Sequence, residues 1–561
     1  MPLRTLRTPI SPSVADVIQS AIAEQDLEHD RHLRAIHTRD ADRKSAWWRT
    51  RLSQALRADT PDPLRILISA SRFTTVLHAT CSDLAESLRG LGCTVELITE
   101  PSEHRRLSPL AYSRIIDRFD PDIILAPNHT RTDLERVITG SPPPTPERRV
   151  LPVGVPFVLW VQDSMPHLLT LEAGAAIGPL DIAMGYISRA MVEQFGYPTE
   201  AILPAPLVAS EQKFNTSRIN PTRAEELACD VAIISHHAET PEHLRDRLLD
   251  ELSTSPEAQR IARDLIPTLE SIARNPMAPV GINTSVRRAV LECAAHLDPS
   301  AQEMLIQNVA LRLIDRTLRH QSAHWAADIC DTNNWTFRIF GTGWEHHPTL
   351  GRFAFGPLEH GDDLAAAYNA AGITLHISAF SPLHQRLIEC SLSGGVPIIR
   401  RTRDALRQSL FLSKLRILRS LEPDNITDPN DGCGPILWFD HLACAETVRY
   451  TTLMQRLGMT IKAQIPIRDP ATDPRIPALH PMQLDADPHL LMGDLWETSY
   501  ESRDELESII HRARAYPNWR TSLSRGVAGR ARNLFTHNAL ARQLLKAIGQ
   551  RAEASTQPAA P

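Results

Sequence analysis

The stretch from Phe337 to Arg400 constrains this chain more than any other, because short apolar runs there alternate with loops and helical patterns. Phe337-Arg338-Ile339-Phe340, Arg352 to Phe355, Ile373 to Ile377 and Val396 to Ile399 read as buried strands. Asp362 is placed to cap a helix carrying Leu364, Ala367 and Tyr368, and His384 to Leu392 reads as a helix that stops at Gly394-Gly395. Strand, loop and helix in alternation specify a parallel sheet, whose ligands sit at the carboxyl ends of its strands. The residues at those ends are Gly341, Gly343, Ser378, Ser381, His384, Gln385 and Arg386, with Glu389 one helical turn later.

The same alternation precedes this stretch. Leu64 to Ala70, Thr94 to Thr99, Asp122 to Ala126, Phe157 to Val161, Asp181 to Met184 and Ala201 to Leu203 read as six strands of a first α/β domain. The pattern restarts at Asp230 to Ile234, which ends in Ser235-His236-His237. The expected fold class is therefore α/β, with two Rossmann-like doubly wound domains. The expected boundaries are a helical N-terminal extension (1–61), a first domain (62–224), a second domain (225–515), a C-terminal helix (516–550) and a disordered tail (551–561). Within the second domain, 239–332 reads as a helical insertion and 401–497 as a loop-rich one. The 1–61 extension is expected to pack on the main body or on a second subunit.

Composition narrows the function classes. Hydrophobic residues at 42% and charged residues at 22% describe an ordinary globular chain, and 561 residues allow two or more domains. A net charge of -6 argues against a nucleic-acid partner. No apolar run approaches the ~20 residues that a membrane span requires, and the N-terminus lacks an apolar secretion core, so the cytoplasm is the expected location. The eight cysteines form no CxxC pair, which argues for reduced, buried thiols and against a zinc site.

In GTGW (341–344), FGPL (355–358), YNAAGITLHIS (368–378), HQRLIECSLSGGVPII (384–399) and FTHNALARQLL (535–545), the chain resembles the GT-B glycosyltransferases, and among them the CgeB-like, spore-protein-like group. DELESIIHRARAYPNWR (504–520) is similar to the helix that precedes the last one in that group. FDPDIILAPNH (119–129) and PFVLWVQDSMP (156–166) carry a fainter match in the first domain. The resemblance implies a nucleotide-sugar held by the second domain, an acceptor domain before it, and a final helix that returns to the first domain. It also implies no cofactor and no bound metal, the pyrophosphate being held by helix N-termini and basic side chains. The segments 239–332 and 401–497 depart from the group.

A helix start offers unpaired N–H groups and partial positive charge, so the start of the 384–392 helix suits a diphosphate. Arg386 adds a fork of donors that fits phosphate oxygens. Glu389, on the same helix face, matches the glutamate that the resemblance assigns to ribose hydroxyls; the alternative is a surface ion pair with Arg386. Gly341 and Gly343 allow a backbone to approach a ligand, or simply make a tight turn. Ser378 and Ser381 can donate to phosphate or cap their loop. His236 and His237 are placed to touch donor or acceptor. For an inverting reaction Asp163 is the first candidate base and His129 the second, each following a strand of the first domain; Asp163 also reads as a helix cap, and His129 as a structural residue. Asp362-Asp363 is read as a helix start and not a metal motif, and His346-His347 as loop. The expected activity is glycosyl transfer from a nucleotide-sugar to an unidentified acceptor. The alternatives are a non-catalytic protein of the same shape and a nucleotide-sugar epimerase.

Overall fold

The computed structural model describes residues 12–57, 60–72, 77–102, 105–140, 145–163, 165–187, 191–192, 194–379, 383–407, 409–410 and 487–554, with a few residues between 411 and 486. Ser381, Cys433, Cys444, most of the 401–497 segment and the end of the expected tail lie outside the described residues. The chain divides into two compact units, 1–205 with 537–561, and 206–536.

The first unit holds a six-stranded sheet ordered β2-β1-β3-β4-β5-β6. Its strands are β1 Arg65–Ala70, β2 Thr94–Thr99, β3 Ile123–Pro127, β4 Phe157–Val161, β5 Ile182–Gly185 and β6 Ile202–Pro204, and every pairing is parallel. All residues of β3 and β4 are buried. Both are continuous apolar runs because helices cover both faces of a parallel sheet. The strand order reverses between β1 and β3, which opens a crevice at their carboxyl ends.

The N-terminal extension belongs to this unit. It forms the helices Pro12–Asp42 and Ser45–Ala55. Three aspartates of the DRFDPD run (117–122) fasten it. Asp117 accepts from Arg39 and His32 at 2.8 and 2.7 Å. Asp120 takes both terminal nitrogens of Arg43 at 2.7 Å. Asp122, fully buried, takes Arg51 in a fork of 2.9 and 2.6 Å and the backbone N–H of Arg65 at 2.9 Å. A forked pair of this kind keeps two buried charges satisfied at once. The final helix, His537–Ala554, lies in the same unit, and Leu56, just past the second helix of the extension, lies 3.5 Å from where a Cβ on its Gly549 would stand.

The second unit holds another six-stranded parallel sheet. Its strands are β7 Cys229–Ile234, β8 Phe337–Phe340, β9 Ala354–Gly356, β10 Ala371–His376, β11 Pro397–Arg400 and a two-residue edge strand, Ser499–Tyr500. From one edge the order is β9-β8-β7-β10-β11-edge. The chain runs outward from β7 to β9, then returns to the other side of β7, so the order reverses between β7 and β10. The strands fall within two residues of the sequence expectation. The edge strand is the exception: it lies just beyond the Pro/Asp-rich 401–497 segment and is too short to announce itself.

Five helices occupy the chain between β7 and β8: Pro241–Glu251, Pro256–Arg274, Ile282–Ala294, Pro299–Leu305 and Leu311–Asn333. They share one core with the sheet, in which Leu313, Ile314 and Ile329 of the last helix meet Val231 and Ile233 of β7 and Ile373 of β10. Buried residues of that last helix recur at three- and four-residue steps, giving one broad apolar face. Asn334, in the left-handed conformation at φ 53°, stops it before β8. Among the described residues no helix is long and apolar enough to cross a membrane.

Asp122→Ala would strand the Arg51 guanidinium inside the first unit. The expected loss of stability is about 3–5 kcal/mol, read as a lowered urea midpoint.

Candidate functional site

In the second unit, the carboxyl ends of β7 and β10 diverge where the strand order reverses, and the sequence places chemistry on both. After β7 come Ser235, His236 and His237; after β10 come Ile377, Ser378 and Ala379. The helix Gln385–Leu392 follows, with His384 as its N-cap: His384 Nδ1 accepts the backbone N–H of Arg386 at 3.2 Å.

Arg386 lies in the first turn of that helix and is half-buried. Among the described residues its guanidinium makes neither a hydrogen bond nor an ion pair within reach. Burial lowers its pKa, and Arg319 lowers it further against opposing Tyr368 and Glu389. Around it stand imidazoles held neutral. Burial, then Arg386 and Arg319, push His384 down to about 3. His376, 6% exposed at the end of β10, is held well below its ordinary value by burial, His384 and Arg319. Its ring lies 5.2 Å from that of His384. Burial and Arg386 also lower His236, whose Nδ1 accepts the Thr342 N–H at 3.2 Å. The charge of Arg386 thus reaches the histidines after both β7 and β10. A void of about 10 Å³, room for about one water, lies against Arg386, Thr374 and His376.

Glu389 is 3% exposed. Its carboxylate accepts from the Tyr368 hydroxyl at 3.4 Å and lies 3.3 Å from His360 Nε2, whose side chain is 38% exposed. The pairing with Arg386 considered from sequence does not form within 4 Å among the described residues. The glycines of the GTGW turn have reasons within the fold. A Cβ on Gly341, at φ +147°, would stand 1.9 Å from the Ser235 carbonyl oxygen. The buried Trp344 indole donates to that same oxygen at 2.6 Å. Gly343, at φ +85°, is left-handed and would meet Ala238. Ser378 lies two residues past the end of β10.

The Asp362-Asp363 pair is occupied by arginines: Asp363 takes Arg223 in a fork of 2.9 and 3.0 Å, and Asp362 lies 3.4 Å from Arg218. His347, beside the exposed His346, joins a chain of three histidine residues with one consistent set of protons. The Leu350 N–H donates to His347 Nδ1 at 3.1 Å, His347 Nε2 donates to His320 Nδ1 at 3.1 Å, and His320 Nε2 donates to the His237 carbonyl at 3.0 Å. Burial and its neighbours hold His320 down to about 3.

In the first unit, Asp163 and His129 meet around Asn128. Asn128 follows β3 in the left-handed conformation at φ 54°. Its Oδ1 accepts the N–H groups of Gln162 and Asp163 at 2.7 and 3.1 Å, and its Nδ2 donates to Asp163 Oδ2 at 3.0 Å. Asp163, itself exposed, is therefore held in place by the end of the neighbouring strand. His129 Nδ1 donates to the Pro127 carbonyl at 2.9 Å, which leaves the lone pair on Nε2. Burial lowers its pKa, so the ring is neutral at pH 7. His167 Nε2 donates to the Asn128 carbonyl at 2.7 Å.

Sequence reasoning missed two arginines. Arg316 and Arg319, on the 311–333 helix, are 9% and 6% exposed and stand among His237, His384 and Asp315. The signal was present. A crossover helix runs back along the sheet, so its first turns lie beside the carboxyl ends of the strands, and counting back about fifteen residues from the stop at Asn334 reaches Arg319.

No family model matches the chain, and no curated protein matches it. Among solved structures it is similar to Anabaena Alr3699/HepE in complex with UDP-glucose, at a TM-score of 0.35 and 11% identity, over 88% of this chain and 99% of that one.

The buried histidines set a pH window. His320 and His384 bind protons in the unfolded chain below about 6.5 but in the folded chain only near 3. The unfolded state therefore holds more protons between these values, and stability falls as pH drops through that window. We expect the urea midpoint to fall from pH 7 to pH 5, where most carboxylates are still ionised, and His320→Gln to flatten that fall.

Proposed function

We propose that this protein is a metal-independent glycosyltransferase of the GT-B kind, of the CgeB-like group, that moves a sugar from a nucleoside-diphosphate sugar to an acceptor. One observation carries the reading: a half-buried guanidinium, Arg386, with no counter-ion among the described residues, at the divergence of β7 and β10. A cation sheltered from water without a partner is costly unless an anion completes it. The start of the 385–392 helix, with its partial positive charge, faces the same end of the sheet.

In this reading Arg386 and the start of the 385–392 helix hold the pyrophosphate as leaving group. The neutral His236 and His384 surround it without competing for the anion's charge. Gly341 and Gly343 keep the turn after β8 low, and Ser378 donates from the loop after β10, with Ser381, outside the described residues, as the second serine proposed for that role. Glu389 takes the ribose hydroxyls in exchange for its long contacts to His360 and Tyr368. His129 is the favoured base for an inverting transfer, because its Nδ1–H is spent on Pro127 and its Nε2 is free to accept a proton. Asp163, oriented by Asn128, is the alternative.

A second reading, a protein of this shape that binds nucleotide without turnover, is favoured by the burial of Glu389 and its existing partners. Both readings are open to one screen, in which UDP, GDP, ADP and dTDP sugars are tested for raising the unfolding temperature in EDTA-containing buffer. At least one should bind, and Arg386→Ala should weaken it by roughly tenfold or more, the worth of a charged hydrogen bond. Failure of every nucleotide to bind overturns the donor reading.

If transfer is observed, the acidic limb of kcat/KM should lie below pH 6.5, the direction in which burial moves His129. His129→Ala should remove that limb and lower the rate by about 10²–10⁴-fold. A limb that survives in His129→Ala and vanishes in Asp163→Asn assigns the base to Asp163.

A further inference from the structure

The chain between β7 and β8 does more than complete the core. Its last helix brings Arg316 and Arg319 to the carboxyl edge of the sheet, and the two are used differently. Arg316 is committed: it donates to the Glu239 carbonyl at 2.5 Å and to His237 Nδ1 at 3.1 Å. Arg319 is not. Only its Nη2 has a hydrogen-bond partner among the described residues, Asp315 Oδ2 at 2.7 Å. Its Nε is buried and unpartnered, although the side chain is 8% exposed. Asp315 in turn receives the Ala379 N–H at 3.0 Å, so the carboxylate that orients Arg319 also fixes the loop after β10. A few residues along that loop lies His384, the cap of the helix that carries Arg386. The buried His376 Nε2, at the start of the loop, is a second polar atom without a partner.

Two arginines from distant parts of the sequence thus flank one loop, with unused hydrogen-bonding capacity on both. Arg319 is paired with Asp315, and Arg316 shares Glu239 with Arg247, which also reaches Glu251, whereas Arg386 has no carboxylate within 4 Å among the described residues.

We propose that the 311–333 helix supplies the second cation of this site, Arg319, and that Arg319 and Arg386 together take a phosphoanhydride, an anion with two phosphate groups and at least two charges, in preference to a single phosphate. The proposal rests on the donor reading above and adds to it the chain segment that gives the site its selectivity for diphosphate. Asp315 is then a positioning residue, holding Arg319 and the loop at once.

The test measures binding of inorganic pyrophosphate and of orthophosphate to the full chain by titration calorimetry, for the wild type, Arg386→Gln, Arg319→Gln and Arg319→Lys. The wild type is expected to bind pyrophosphate more tightly than orthophosphate. Both Arg319 variants should weaken pyrophosphate by about tenfold or more while changing orthophosphate by less than about threefold. Arg319→Lys retains the charge beside Asp315 and so preserves the fold if the glutamine variant does not, and an unchanged unfolding temperature without ligand confirms this. Pyrophosphate binding that is lost in Arg386→Gln but kept in the folded Arg319 variants overturns the assignment to the helix and leaves the donor reading standing. A wild type that binds neither anion overturns both.

Discussion

Parallel strands cannot be joined by a tight turn, so the chain that leaves β7 must recross a face of the sheet before β8 begins. That single requirement fixes much of the second unit. The 311–333 helix meets it, burying Leu313, Ile314 and Ile329 against β7 and β10. Because it runs back toward the start of β8, its first turns lie beside the strand ends where ligands bind. Arg316 and Arg319 are there for that reason, and so is His320, which reaches the His237 carbonyl. A helix needed for connection becomes a wall of the candidate site.

Fold was far more legible than site. Continuous apolar runs such as Ile123 to Ala126 and Phe157 to Val161 have one solution, a strand buried on both faces, and the order of such runs gave both sheets. Ser499–Tyr500 was illegible because two residues carry no period; its place in the sheet comes from register with Ile399 and Arg400. The site divides in the same way. His384 and Arg386 could be named because they stand next to a strand in sequence. Arg319 was missed because no neighbouring motif marks it: its nearness to Arg386 is created by packing across about 65 residues of chain, and only counting back along the crossover helix points to it. Gly341 shows the opposite limit: a glycine after a strand suggests a ligand, but here the Ser235 carbonyl, held by the Trp344 indole, already fills the space a side chain would need.

Electrostatics follow from that packing. Burial keeps His376, His384 and His320 neutral, so the region around Arg386 is rich in imidazole yet nearly free of imidazole charge. The fixed charge comes from arginines, which hold their protons at any physiological pH. Affinity for an anion would then vary little across neutral pH, while the stability of the unit itself declines in acid. The first unit shows the same economy at Asn128, where one side chain in a left-handed turn holds the start of the β4 loop and orients Asp163.

The junction at Arg401 has a consequence for how this chain can vary. Arg401 is 3% exposed, donates its backbone N–H to the Tyr500 carbonyl at 2.7 Å, and grips Ser499 and Glu505 with its guanidinium. The two ends of a segment nearly one hundred residues long are thereby riveted side by side. The entropy of closing such a loop grows only as the logarithm of its length. A change in the number of residues between these two ends therefore alters the cost of closure little, while the pairing of Arg400 and Arg401 with Ser499 and Tyr500 holds the ends at the same edge of the sheet.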